Sequence, residues 1–202
     1  MNYCFSFKER HTVTSANKNV YVKPAIHPSR CINQHDFIYI LDGAWQIGIG
    51  DRIYDVKKDD VIILPANMFH YGTAYSAENT KTFFLHSSLA EGDGATTAET
   101  AFLTNTKCCI PTVVNTSCKT DVKNIFSSII FSFKQNNQLK TSVLFDTLLL
   151  TLFEICEYKT KNNNIAYKIK NIIDENLHKT INTSYIAEKL NMSKKSVEVK
   201  FK

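Results

Sequence analysis

Phe37-Ile38-Tyr39-Ile40-Leu41-Asp42-Gly43-Ala44-Trp45-Gln46-Ile47-Gly48-Ile49-Gly50-Asp51 is the stretch on which the fold turns. Phe37–Asp42 is rich in β-branched and aromatic residues and ends in Asp42-Gly43, a hairpin signal. Trp45, Ile47 and Ile49 then alternate with Gln46 and Gly48, the period of two expected of a half-buried strand. Working outward, Gly50-Asp51 predicts a turn, Arg52–Val56 a strand, and Lys57–Asp60 another turn. Val61–Leu64 is wholly apolar and stops at Pro65, and Thr82–Leu85 supplies a further strand. Short strands at this spacing over residues 11–90 predict a small barrel or sandwich. Residues 91–100 read as an exposed loop.

After Pro111 the period changes. Asp121–Lys134 places Val122, Ile125, Phe126, Ile129, Ile130 and Phe133 on one helical face. Asn136-Asn137 breaks that run, and Leu139–Tyr158 predicts a longer helix striped by Val143, Leu144, Leu148, Thr151, Leu152 and Ile155. Leu149, Leu150 and Phe153 widen the stripe, so the helix is expected to be covered on more than one side. An ordinary two-helix core and a homodimer interface both fit. Lys161-Asn162-Asn163-Asn164 reads as a linker, and Ile165–Leu177 as a third helix with Ile169, Ile172, Ile173 and Leu177 at helical spacing. The expected fold class is α+β: a barrel over residues 1–110, helices over 111–160, and a helical segment over 165–202.

The 202 residues are 44% hydrophobic and 21% charged, a composition that excludes a disordered tail or a collagen-like fibre. Val143–Cys156, the most apolar stretch, is broken by Asp146 and Glu154 and is too short to span a bilayer. Met1–Arg10 has no apolar h-region, so these residues are not expected to be a secretory leader; the expected location is the cytoplasm, with no membrane partner. The six cysteines (4, 31, 108, 109, 118 and 156) show no metal-ligand rhythm and are expected to be free thiols. The net charge of +5 is unevenly placed: residues 165–202 carry eight Lys/Arg against four Asp/Glu, and residues 1–110 carry ten against eleven. A local basic surface attracts phosphate.

That basic segment has a pattern of its own. Asn182 or Thr183 opens one helix with Ile186, Ala187 and Leu190 on its inner face, and the small Ala187 lets a second helix cross closely. Asn191 suits a turn that needs a left-handed residue, Ser193 caps the second helix, and Val197 and Phe201 face inward. This spacing predicts a helix-turn-helix whose second helix enters a major groove, with Lys194, Lys195 and Lys200 suited to phosphate contact. An ordinary helical hairpin with a solvated lysine face reads the same way.

Ile172-Ile173-Asp174-Glu175-Asn176, followed by Ile181, Ile186-Ala187, Leu190, Met192-Ser193 and Phe201-Lys202, resembles the first half of the DNA-binding domain of the AraC/XylS transcription regulators. The preceding part is similar to the cupin-like (double-stranded β-helix) effector domain that many members carry. The resemblance implies DNA contact by Ser193, Lys194, Lys195, Ser196, Glu198, Val199 and Lys200, with Lys195, Glu198 and Val199 at base-reading positions. Val199 stands where the family often has a basic or polar residue, so thymine-methyl contact replaces guanine readout there. The family's domain has two such helix pairs and this sequence reaches through the first, as a truncated or short form would. DNA affinity is therefore expected in the non-specific range of roughly 10⁻⁴–10⁻⁶ M.

Asp59 to His70 resembles the second cupin motif, in which a proline turn leads to a pocket-facing histidine, here His70. Asp36 matches the carboxylate of the first motif, but Arg30, Cys31 and Ile32 stand where that motif has two histidines; His27 and His35 are out of step. A metal centre usually needs three His or carboxylate ligands, so the expectation is a metal-free, cofactor-free cavity that binds a small-molecule effector. Arg30, His35, Tyr39, Trp45, His70 and His86 are its candidate lining residues. No nucleophile–base pair and no phosphate-cradling glycine loop appears, and no catalytic residue is assigned. The reading is a ligand-responsive, DNA-binding regulator acting as a homodimer. A metal-dependent cupin enzyme, a dioxygenase or isomerase, is the alternative; a dimerisation module acting without DNA is a third reading.

Overall fold

The computed structural model describes residues 1–98, 100–163, 165–179 and 181–201, with the backbone alone for 159–163, 200 and 201. Among the described residues the elements run β1 (Asn2–Ser6), β2 (Val13–Tyr21), β3 (Gln34–Asp42), β4 (Ala44–Ile49), β5 (Arg52–Lys57), β6 (Asp60–Leu64), β7 (His70–Gly72) and β8 (Thr80–Ser88). Short strands β9 (Gly94–Thr96), β10 (Phe102–Leu103), β11 (Lys107–Pro111) and β12 (Val113–Asn115) follow. Then come α1 (Asp121–Lys134), α2 (Gln138–Asn163), α3 (Ile165–Glu175), α4 (Thr183–Lys189) and α5 (Lys194–Phe201). The chain divides into two units, residues 1–156 and 157–202. The fold class is α+β. No described helix is long and apolar enough to cross a membrane.

In the first unit, the strands form three antiparallel sheets, ordered β10-β11-β1-β9, β12-β6-β3-β8-β2 and β5-β4-β7. Their hydrogen bonding does not join the described strands into one closed ring. The turn expected at Asp42-Gly43 forms, but not as a hairpin: β3 pairs with β6 and β8 and β4 with β5 and β7, so the turn passes the chain from one sheet to another. Gly43 has φ +86°, and the Thr80 backbone approaches it so closely that a Cβ would not fit. β3 and β6 are buried on both faces because they sit between two apolar layers. Phe37, Tyr39, Val61 and Ile63 join a core shared with Phe126, Ile129, Phe145, Leu148 and Leu152 of α1 and α2. Ile38, Ile40, Ile62 and Leu64 join the opposite core with Trp45, Ile47, Ile49 and Val56. The helices up to Ile155 thus share the strands' core, and residues 111–156 belong to the first unit.

Three expectations are corrected here. Cys4 and Cys109 form a disulfide, because β1 and β11 pair in a register that sets them directly opposite each other. Cys108 and Cys109 are neighbours in the chain, but successive strand residues point to opposite faces. The segment read as a linker, Lys161–Asn164, has helical backbone through Asn163, where α2 continues; Asn164 lies outside the described residues. Part of the segment read as a loop, Gly94–Thr96, is β9, paired with β1.

A buried polar hub fastens the loop before β9. The Asp93 side chain is fully buried, and its Oδ1 accepts from the Ser6 N–H at 2.6 Å. Its Oδ2 accepts from the Ala90 N–H at 2.9 Å and lies 2.9 Å from His11 Nε2 and 3.0 Å from His35 Nε2. Burial by itself pushes this carboxyl up, but the hydrogen bonds from His11, His35, Ala90 and Ser6 outweigh it and hold it below the usual carboxylate range. The folded value is depressed, so the stabilisation is complete above the ordinary Asp pKa and is lost as pH falls through the folded value. Asp93→Ala strips all these donors of their acceptor and is expected to cost ~3–5 kcal/mol in urea unfolding at pH 7. The difference between variant and wild type should shrink in acid; a cost below about 1 kcal/mol would show that the hub is not a fastening.

Candidate functional site

The cavity-facing side of the five-stranded sheet is set by register. Asp36 lies opposite His86, Ile38 opposite Phe84 and Ile40 opposite Thr82, so alternate residues of β3 and β8 share one face. That face, with β2, Trp45 of β4 and the irregular segment 27–30, encloses a cavity of about 320 Å³. Its lining includes Tyr21, His27, Arg30, Asp36, Trp45 and His86, with Ser15, Asn19 and Thr82 adding polar edges and Ile38 and Phe84 apolar ones. The volume falls at the small end of the range typical of small-molecule sites.

An ion pair crosses this cavity. Arg30 Nη2 donates to Asp36 Oδ2 at 3.2 Å, and His86 Nε2 lies 3.4 Å from the same oxygen. Arg30 Nε–H points to His70 Nε2 at 3.3 Å, and paired backbone hydrogen bonds, Arg30 N–H to His70 C=O (2.9 Å) and the reverse (3.0 Å), lock the two residues together. His70 Nδ1 donates to the Met68 carbonyl, which leaves Nε2 free to accept from Arg30. In the same way His27 Nδ1 donates to the Pro28 carbonyl at 3.0 Å and keeps Nε2 as an acceptor. His27 packs edge-on against Trp45 and His70, at 5.5 and 5.3 Å between ring centroids. Burial pushes the His27 pKa down to about 4, with Asp36 partly opposing it, and burial lowers His70 as well, so both rings are neutral at pH 7. Asp36 Oδ1 and Trp45 Nε1 are buried and have no hydrogen-bond partner among the described residues.

Of the candidates read from the sequence, the structure brings Arg30, Trp45 and His86 to this cavity, with His70 fully buried behind Arg30. It does not bring His35 and Tyr39 there. Both are odd-numbered residues of β3, whose side chains point to the helix side: His35 to Asp93, and Tyr39 onto Phe126, with its hydroxyl donating to Asp59 at 3.0 Å. Asp36 and His27 complete the site. Asp36 was legible, since it shares the parity of Ile38 and Ile40 and a carboxylate on an apolar face demands a partner. His27 lies in an irregular segment with no periodicity to place it.

Metal-ligating potential is concentrated elsewhere. Ligand atoms of His11, His35 and Asp93 lie within 4.8 Å of one another. However, His35 Nδ1 accepts from the Ala66 N–H at 3.0 Å, so its proton sits on Nε2 and is directed at Asp93. A metal would have to displace that proton, and the arrangement is a hydrogen-bonded hub. In the cavity itself the Arg30 guanidinium sits beside His70 and Asp36, and its charge opposes a cation there.

In the second unit, α3, α4 and α5 pack around Ile169, Ile186, Ala187 and Val197. Asn182 caps α4 by accepting from the Tyr185 N–H at 3.0 Å. Asn191 takes the left-handed conformation (φ 51°) in the turn, and Ser193 Oγ accepts from the Ser196 N–H at 3.1 Å to open α5. Lys194, Lys195, Glu198 and Val199 are exposed on α5, and Ser196 is half-buried. The Lys200 and Phe201 side chains, and all of Lys202, lie outside the described residues.

The family model described as "AraC-like ligand binding domain" matches residues 17–153 of the chain, and the chain belongs to that family. Over 72 residues it is 31% identical to the uncharacterized HTH-type transcriptional regulator YisR of Bacillus subtilis (strain 168); the match covers 36% of this chain and 25% of that protein. The chain thus spans about a quarter of that relative's length. Among solved structures, unsaturated fatty acid-bound ToxT of Vibrio cholerae is similar over 96% of this chain and 74% of its own, at 12% identity and a TM-score of 0.40. The Schizosaccharomyces pombe Cnp3 cupin domain is similar over 43% of this chain and 64% of its own, at 19% identity and a TM-score of 0.33.

The neutral His27 has a thermodynamic consequence. Its folded pKa of about 4 lies below the unfolded value, so the unfolded chain binds more protons between about pH 6.5 and 4. Stability therefore falls as pH falls across that window. His27→Asn is expected to flatten this slope in urea unfolding series at pH 7 and pH 5; an unchanged slope would mean that His27 is not held neutral.

Proposed function

We propose that the chain is the sensing and DNA-contacting part of a ligand-responsive transcription regulator. The carrying observation is that an AraC-like ligand-binding domain is followed, in one chain, by a basic helix pair with an Asn turn and capped helices. In this reading the first unit is a cupin-like barrel that takes a small effector in the cavity beside Arg30 and Asp36. The second unit is a helix-turn-helix, with α5 in the major groove and Lys194 and Lys195 on phosphates. Ser193, Ser196, Glu198, Val199 and Lys200 complete the DNA-facing set. Leu139, Val143 and Leu150 leave an exposed apolar stripe along α2, which supports homodimerisation. An effector shifts DNA affinity only by binding two arrangements of the regulator unequally.

Fluorescence anisotropy of the full chain on a mixed-sequence duplex tests this. Binding is expected at roughly 10⁻⁴–10⁻⁶ M near physiological salt and should weaken as salt rises. The double variant Lys194→Glu, Lys195→Glu should lower affinity at least tenfold. Its plot of log K against log salt should become shallower by about one for each phosphate that is no longer neutralised. Salt-independent binding, or an unchanged variant, would overturn the assignment of α5.

A further inference from the structure

Several polar side chains of the first unit gather around one guanidinium. Arg30 Nε–H points to His70 Nε2 at 3.3 Å, and Arg30 Nη2 donates to Asp36 Oδ2 at 3.2 Å. His86 Nε2 lies 3.4 Å from that same carboxylate oxygen. His27, its ring centroid 5.3 Å from that of His70, lines the same cavity. Arg30 is the one Lys or Arg among the described lining residues. Its side chain is 36% exposed, so its inner N–H groups serve His70 and Asp36 while the outer ones reach solvent.

Two of these histidines are held in a particular way. His27 Nδ1 donates to the Pro28 carbonyl at 3.0 Å, and His70 Nδ1 donates to the Met68 carbonyl at 3.2 Å. Each ring therefore keeps its proton on Nδ1 and carries a bare Nε2. Metal-ligating histidines are held by the same outer hydrogen bond, which fixes the tautomer and aims the free nitrogen. With the buried Asp36 carboxylate they make two imidazole nitrogens and one anionic oxygen, a donor set that divalent transition metals take. The donor atoms are spread more widely than a single ion needs; among the described residues the compact set is His11, His35 and Asp93. A planar guanidinium reaching both His70 and Asp36 is wider than an ion and holds them apart.

We infer that Arg30 is a built-in cation occupying a latent divalent-metal site of His27, His70 and Asp36, and that its charge keeps such ions out. A buried carboxylate needs a positive partner, and an arginine of the same chain supplies one whatever the metal supply. A divalent ion entering the wild-type cavity meets a fixed positive charge at close range. Without the guanidinium, a buried carboxylate and bare imidazole nitrogens are left facing the space it filled, and a divalent ion satisfies them together.

The probe is Co²⁺, whose visible absorption reports its coordination. The full wild-type chain, Arg30→Met and Arg30→Lys are titrated with Co²⁺, and thermal melting is followed with and without it. Arg30→Met leaves Asp36 unpaired, so it should melt below the wild type. It should also bind one Co²⁺ at least tenfold more tightly than the wild type and recover its melting temperature as it does. Arg30→Lys keeps a cation and should respond to Co²⁺ as the wild type does. Adding His70→Phe or Asp36→Asn to Arg30→Met should return the affinity to the wild-type level. The free cysteines and the Asp93 hub are the same in every chain, so binding there cancels in the comparison. No gain in Arg30→Met, a gain that survives either added substitution, or equally tight binding by the wild type overturns the assignment. If Arg30→Met folds only in the presence of Co²⁺, the ion has replaced the guanidinium as expected; failure to fold with and without it counts against the latent site. DNA is absent throughout, so the outcome is independent of the regulator reading.

Discussion

Strand β3 is buried on both faces, and its alternation distributes the chemistry of the first unit. Asp36, Ile38 and Ile40 go to the cavity side, and His35, Phe37 and Tyr39 go to the side covered by α1 and α2. A shift of one residue in the pairing with β6 and β8 would exchange the two sets, exposing a carboxylate to the helix core. Phe37 against Phe145, at 5.1 Å and nearly perpendicular, and Tyr39 stacked on Phe126 fix that register from the helix side.

Two buried carboxylates then sit back to back across the strand, and each is neutralised differently. Asp93 is surrounded by donors, His11, His35 and two backbone N–H groups, and it holds the loop before β9 against β1 and β3. Asp36 is paired with a single guanidinium and keeps one oxygen without a partner among the described residues. His35 and Asp36 are sequence neighbours, so the Asp93 hub and the Arg30–Asp36 pair share one piece of backbone.

The second unit is simpler and more local. Its helices are short, and their ends are set by side-chain caps at Asn182 and Ser193 and by the left-handed Asn191. Ala187, 5% exposed, lets α4 and α5 approach closely, while Ile169 and Val197 fill the space between the helices. Lys194 and Lys195 are left exposed on α5, where water solvates them.

Local features of this protein were legible in its sequence because the forces behind them act over a few residues. The turn at Gly43, the two-sided apolar run at Val61–Leu64, the helix Asp121–Lys134 and the capped pair in the second unit all follow from period, cap and turn residues, although the strands on either side of Gly43 pair elsewhere. What tertiary structure alone decided is long-range pairing. Asp93 meets His11 and His35 across 82 and 58 residues, and Arg30 meets His70 across 40. Cys4 is joined to Cys109 across 105 residues. Side-chain chemistry named Arg30, Trp45, His70 and His86 as candidates, but strand parity sent His35 and Tyr39 the other way and brought in Asp36. Parity is written in the sequence; which face becomes a cavity and which a core is set only when distant strands and helices close over it.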